Sequence, residues 1–138
     1  MTTPTYQMLE AGPFSKLDGA ARVGGGKLFL KEGLGLTGME VSLNRLPAGA
    51  SVPFHHSHRE NEELYVFLSG QGQFQIDGQI IEVSEGTSIR VAPAGVRTLR
   101  CHGGEDLHFI VVQARDGSLR QYTRTDGVLS DQPVTWPE

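Results

Sequence analysis

Residues 73–83 read QFQIDGQIIEV, and this stretch predicts a β-hairpin. Asp77-Gly78 supplies the positive φ angles that a two-residue turn requires, and the segments on either side have β-strand composition. Turn residues separate this hairpin from other short segments of the same kind. Further strands are predicted at residues 39–44, 63–68, 88–92, 96–101 and 107–114. Since no segment of helical length has an apolar stripe, the sequence predicts an all-β sandwich or barrel.

The two ends of the chain are less regular than its middle. Residues 1–36 are interpreted as an arm with one or two outer strands, because glycines interrupt their short apolar pieces. The tail, residues 118–138, contains Trp136, the only Trp of the chain, which favours a tail docked on the domain. A chain of 138 residues fits one domain.

The charge and composition of the chain make nucleic acids and membranes unfavourable partners. Twelve Lys and Arg against sixteen Asp and Glu give a net charge of −4, which is poorly suited to nucleic acid or anionic lipid. No apolar run approaches the roughly 20 residues of a membrane-spanning helix. The N-terminus does not resemble a signal peptide, and Cys101 has no second cysteine for a disulfide. We therefore expect a cytoplasmic protein without nucleic-acid or membrane partners.

A cluster of histidines is the chemically informative feature. His56 and His58 are two residues apart, so in an extended segment both imidazoles project to one side, while His55 faces the other way. Glu63, at the start of the next strand, could complete a set of two His and one carboxylate. Such a set suits Fe(II), Mn(II), Ni(II) or Zn(II) and leaves open coordination positions. The alternative is a solvated loop in which these histidines bind nothing.

Five residues in this region resemble the first sequence motif of the cupin superfamily. They are Gly49, His56, His58, Glu63 and Gly70, with one extra residue between the first two. The resemblance extends over about residues 38–114. It implies a single-domain cupin β-barrel, or jelly roll, formed by residues 1–138 with a core barrel at about 38–114. It also implies a homodimer, and a divalent metal held by His56, His58 and Glu63.

The second cupin motif is matched only in part. Gly86, Pro93 and Gly95 are present, but Thr98 stands where the usual fourth metal ligand would be, and His102 replaces an Asn. Two interpretations remain open. In one, the metal is held by three protein ligands; in the other, the metal is absent and the histidines are hydrogen-bonding groups in a pocket.

The same strand supplies candidate substrate-binding residues. Thr98 and Arg100 share one face of the strand and Arg97 lies on the other, so a bulge before the strand would decide which face lines the pocket. An arginine there would suit a carboxylate or phosphate ligand. Tyr65 and Phe67 are interpreted as barrel lining.

These observations lead to two hypotheses of different classes. The first is a metal-binding cupin that binds or acts on a small molecule, of the kind that includes metal-dependent oxygenases and isomerases. The second is a metal-free cupin pocket that binds a small anionic ligand without catalysis. The fold by itself decides neither reaction nor substrate.

Overall fold

The computed structural model describes residues 4–20 and 25–138 and shows a chain built mainly of β-strands. Its strands are β1 (Gly19–Ala20), β2 (Gly25–Phe29), β3 (Glu40–Leu46), β4 (Asn61–Ser69), β5 (Gln71–Ile76), β6 (Gln79–Ser84), β7 (Ser88–Val91), β8 (Arg97–Cys101) and β9 (Leu107–Arg115). A 3-10 turn (Phe14–Lys16) and two short helices, α1 (Lys31–Leu34) and α2 (Thr123–Asp126), complete the described elements. Within the described ranges, no helix has both the length and the apolar character needed to cross a bilayer.

The strands form two antiparallel sheets. One has the order β1-β2-β3-β9-β4-β7, and the other has the order β6-β5-β8. The extended segment before β4 lies beside β8, through isolated bridges from Ser51 to Arg100 and from His56 to Arg97. This is a jelly-roll arrangement, and it confirms the all-β prediction.

The backbone conformation of two turn residues explains the predicted hairpin, which is formed by β5 and β6. Asp77 has a φ of 47° and Gly78 a φ of 83°, as a two-residue turn of this type requires. The turn between β4 and β5 depends on Gly70, whose φ is 87°. A Cβ on Gly70 would collide with the carbonyl oxygen of Asp106, so a side chain cannot be accommodated there without a backbone shift.

The apolar core lies between the two sheets. Its largest fully buried apolar members are Phe67 and Phe74, which come from different sheets. The remaining buried members of the cluster are Leu46, Tyr65, Val83, Val91, Leu99, Cys101, Leu107, Phe109 and Val111. Five of the core residues, Leu46, Tyr65, Leu99, Phe109 and Val111, also line a cavity between the sheets.

Strand β3 turns its polar residues, rather than its apolar ones, toward the interior. The sequence alternates apolar and polar residues there, and the polar residues Ser42 and Asn44 are the ones that face inward, at 3% and 4% exposure. Val41 and Leu43 face outward and are half-buried. The strand prediction is correct, but the inner face of β3 is polar.

The two ends of the chain differ in their relation to the domain. β1 and β2 extend the larger sheet at one edge, in the region predicted to carry one or two outer strands. The parts of that prediction that fall on residues 1–3 and 21–24 lie outside the described residues. The expectation of a docked tail is wrong for contacts within this chain, because Trp136 is 85% exposed and its neighbours in the tail are also exposed.

Candidate metal centre

The histidine segment is held along the edge of β8 by backbone hydrogen bonds. The His56 and Arg97 backbones exchange two hydrogen bonds of 3.0 Å, and the His58 N–H donates to the Pro93 carbonyl at 2.8 Å. In this extended conformation, side chains two residues apart lie on one side. His56 and His58 therefore share the inward side, whereas His55 is exposed.

Glu63 approaches the two imidazoles from the larger sheet. It lies on the inner face of β4 with Tyr65 and Phe67, and it is only 4% exposed. His56 Nε2 is 3.4 Å from Glu63 Oε1, and His58 Nε2 is 3.3 Å from Glu63 Oε2. The fold thus brings together the three residues that the sequence proposed as metal ligands, each offering one ligand atom within 4.8 Å of the others.

The donor set fits a divalent ion. Two ligand atoms that are each about 2.1 Å from one ion lie roughly 3.0–3.4 Å apart in octahedral or tetrahedral geometry, close to the His–Glu separations found here. His58 Nε2 is also buried without a hydrogen-bond partner. A buried imidazole nitrogen is costly to leave unpaired, and coordination would satisfy it.

The charge state of Glu63 follows from its surroundings. Burial raises the pKa of this carboxyl, but interactions with His56 and Tyr65, together with the charges of His58 and Arg97, outweigh burial and hold the pKa below its usual range. The Tyr65 hydroxyl donates to Glu63 Oε1 at 2.9 Å. Burial and the Glu63 charge raise the pKa of Tyr65, so this phenol stays a donor to the carboxylate.

Arg97 lies behind the cluster with a completely buried side chain. Its Nε is 3.6 Å from Glu63 Oε1, and its terminal nitrogens donate to the His56 and Ala92 carbonyls at 3.4 Å. The inward position of β8 beside His56 therefore holds a guanidinium, which cannot ligate a metal. Among the described residues, the potential ligand set has three members.

The alternation of β8 settles which of its residues face inward. Arg97 does so, and Thr98 and Arg100 lie on the opposite face, away from the cavity. The Thr98 hydroxyl donates to the Val52 carbonyl at 3.2 Å, and Arg100 Nε donates to Gln73 Oε1 at 2.8 Å. Neither residue reaches the metal cluster.

A cavity of about 610 Å³ opens beside the cluster. Tyr65 lines it, whereas Phe67 is fully buried in the core and stacks on Phe109 with 5.5 Å between ring centroids. Much of the wall is apolar, including Leu46, Val52, Phe54, Leu99, Phe109 and Val111. Its size is suitable for a small molecule.

Several polar residues of the cavity wall were not singled out from the sequence, and three of them contact one another. They are Lys27 on β2 and the inward-facing Ser42 and Asn44 on β3. The only available signal was a lysine within a short apolar strand, which is ordinary for an exposed edge strand. Their role depends on strand pairing that residue patterns do not specify.

Comparison with known proteins agrees with this architecture. The family profile described as "Cupin domain" matches residues 42–113. A cupin protein from Bacteroides fragilis is 41% identical in sequence, with a TM-score of 0.81 over 93% of this chain and 99% of that one. A predicted oxalate decarboxylase from Thermotoga maritima is 27% identical, with a TM-score of 0.52 over 54% of this chain and 64% of that one.

A further solved structure, of a Photorhabdus luminescens protein, is 15% identical and has a TM-score of 0.64 over 80% of this chain and 89% of that one, which shows a shared fold only. A search of curated proteins gave no match. The family profile covers more than half of the chain, and the Bacteroides protein is similar over nearly all of it. This chain belongs to the cupin family.

Proposed function

We propose that this protein binds a divalent metal ion through His56, His58 and Glu63 and binds a small molecule in the adjoining cavity. The observation that carries the proposal is the convergence of three ligand atoms within 4.8 Å at the wall of that cavity. Fe(II), Mn(II), Ni(II) and Zn(II) all accept such a set of nitrogen and oxygen ligands.

The residues of the chain have separable roles in this proposal. A bound divalent ion would act as a Lewis acid toward an oxygen of the small molecule. The hydrogen bond from Tyr65 fixes the orientation of the Glu63 carboxylate. The apolar walls exclude water and strengthen polar interactions within the cavity.

Metal titration of the purified, chelator-treated protein tests the proposal. We expect one ion per chain, with affinity reduced by more than about 100-fold in His56→Ala and Glu63→Gln, since even indirect changes at metal sites cost about 10–100-fold. His55→Ala is the matched control, because His55 is exposed beside the cluster. Equal affinities in the control and the two ligand variants, or no binding of any of the four metals, would contradict the proposal.

A second candidate function is favoured by Arg97. Its guanidinium already places a positive charge beside the Glu63 carboxylate, so the cluster could persist without a metal as a polar wall of a pocket for a small anionic ligand. In that case chelation leaves ligand binding intact. If ligand binding disappears with the metal and returns on adding it back, this second function is excluded.

We also propose that the protein is a homodimer. The outward face of the larger sheet carries a row of half-buried aliphatic residues, Leu43, Ile110 and Val66, paired directly across three strands. The tail leaves Leu129 and Trp136 at 99% and 85% exposure. Apolar surface of this kind is stabilised by burial against a second copy. Light scattering coupled to size-exclusion chromatography tests this, and a mass of one chain at all concentrations would contradict it.

A further inference from the structure

Lys27 is an unusual residue in the cavity wall because no carboxylate of the described residues pairs with it. Of the residues that the structure describes, two with cationic side chains line the cavity, Lys27 and Arg45. Arg45 is already engaged, with an ion pair of 3.4 Å to Asp106 and hydrogen bonds to the Leu17 carbonyl. Lys27 Nζ instead contacts two neutral groups, Asn44 Oδ1 at 2.6 Å and Ser42 Oγ at 3.4 Å. The ammonium is therefore held in place without being neutralised.

Counting donors and acceptors shows what this group offers to the cavity. Asn44 Oδ1 accepts from Lys27, while Asn44 Nδ2 donates to the Ser42 carbonyl and hydroxyl at 3.1 and 2.9 Å and to the Phe109 carbonyl at 3.5 Å. The Ser42 hydroxyl oxygen thus accepts from both neighbours, which leaves its own proton to donate. Lys27 has three N–H donors, of which two are used. Lys27 and Ser42 thus each retain one hydrogen, an N–H and an O–H, that can be donated to a ligand.

Two adjacent donors, one of them cationic, are complementary to the two oxygens of a carboxylate. A phosphate dianion has more oxygens and more charge than this group can satisfy, and the other walls of the cavity are largely apolar. The ammonium also lies over the aromatic ring of Phe29, with 5.1 Å between Nζ and the ring centroid.

The Lys27 ammonium is partly desolvated. Burial lowers the pKa of Lys27, and the negative charges of Glu63 and Glu40 partly oppose that shift. An ammonium that has lost part of its hydration gains more from a carboxylate than a fully hydrated one does.

The subsite lies across the cavity from the metal cluster. Ser42 on β3 and Tyr65 on β4 are both paired with Val111 of β9, so they are two strands apart. At about 4.8 Å between neighbouring strands, their backbones are roughly 10 Å apart. Glu63 accepts a hydrogen bond from Tyr65, so the metal cluster lies at the Tyr65 end of this span and Ser42 lies at the other end.

We propose that Lys27 and Ser42 form a carboxylate-binding subsite, and that the ligand of this cavity is a small organic acid whose other end carries an oxygen donor for the metal. The second half of this inference rests on the proposed metal site, whereas the carboxylate subsite does not.

Isothermal titration calorimetry with defined acids tests the inference. Hexanoate is titrated into the metal-free protein, and succinate, glutarate and adipate are titrated into the Zn(II)-loaded protein. Lys27→Met removes the charge and nearly keeps the volume, and we expect it to weaken binding by about 10- to 100-fold. Lys27→Arg should retain most of the affinity, and Ser42→Ala should lose about three- to tenfold. Lys31→Met, on exposed α1, is the matched control and should bind like the wild type.

The outcomes separate this inference from the metal proposal. If Zn(II) binds normally but Lys27→Met and Lys31→Met bind the acids equally, the carboxylate subsite is refuted and the metal site stands. If no metal binds but hexanoate affinity falls in Lys27→Met, the subsite stands and the metal proposal fails. Absence of binding by every acid up to about 10 mM overturns the subsite. Circular dichroism of each variant is recorded, and should Lys27→Met not fold, Ser42→Ala and Lys27→Arg decide the matter.

Discussion

Replacing Arg97 by methionine tests whether the guanidinium acts as a counter-charge for Glu63. Arg97 is fully buried, and its contacts are the Glu63 carboxylate at 3.6 Å and two backbone carbonyls. Removal of one partner of a buried ion pair costs about 3–5 kcal/mol. Because Tyr65 and the two imidazoles remain on Glu63, we expect the lower end, about 3 kcal/mol, in the metal-free protein.

Urea unfolding measures this change directly. With an m-value of about 2 kcal/mol per molar urea, the midpoint of Arg97→Met should fall by about 1.5 M. Arg100→Met is the control on the same strand, because the exposed Arg100 side chain donates to Gln73 at the surface, and its effect should stay below about 0.5 kcal/mol. Zinc should restore much of the stability that Arg97→Met loses. This variant should also bind zinc about tenfold more tightly than the wild type, because a positive charge that repels the ion has been removed. Equal midpoints for the two variants, or weaker zinc binding by Arg97→Met, would refute the reasoning.

Three further predictions concern the same cluster and one turn. Because folding lowers the pKa of Glu63, its ionised carboxylate stabilises the metal-free protein at pH values above the ordinary carboxyl pKa, and this stabilisation is lost as pH falls through the lower folded pKa. In urea unfolding at a series of pH values, the midpoint of Glu63→Gln should therefore fall less steeply toward acid pH than that of the wild type. Tyr65→Phe removes the 2.9 Å hydrogen bond to Glu63 and should cost about 1.5–3 kcal/mol in the same assay, and an unchanged midpoint would be evidence against that bond. Gly70→Ala should cost more than about 2 kcal/mol or prevent folding, since the new Cβ meets backbone, whereas Gly104→Ala, in open space, should cost far less.

Strand positions were predictable because their signals are local. Asp77 and Gly78 both have the positive φ angle that their two-residue turn requires. The predicted strands at residues 73–76, 79–83, 96–101 and 107–114 coincide closely with β5, β6, β8 and β9. The proposed metal ligands were also recognisable, since spacing in an extended segment determines the side on which His56 and His58 lie. In each case the deciding interaction lies within a few residues of the chain.

The cavity wall was not predictable in the same way. Lys27, Ser42 and Asn44 meet only because β2 pairs with β3 in one register, which sets Lys27 opposite Asn44. The docked tail predicted from Trp136 was wrong because a general tendency of Trp to be buried says nothing about which surface would cover it in one chain.

The sequence by itself indicated that this chain is an all-β cupin and named two histidines and one glutamate as candidate metal ligands, because turn φ angles, the period of two and motif spacing are properties of neighbouring residues. Only the tertiary structure decided that Arg97 rather than Thr98 faces inward, and that Ser42 and Asn44 rather than Val41 and Leu43 line the cavity. The physical reason is that a period of two defines two faces of a strand without saying which one another sheet covers, and a shift of one residue exchanges them.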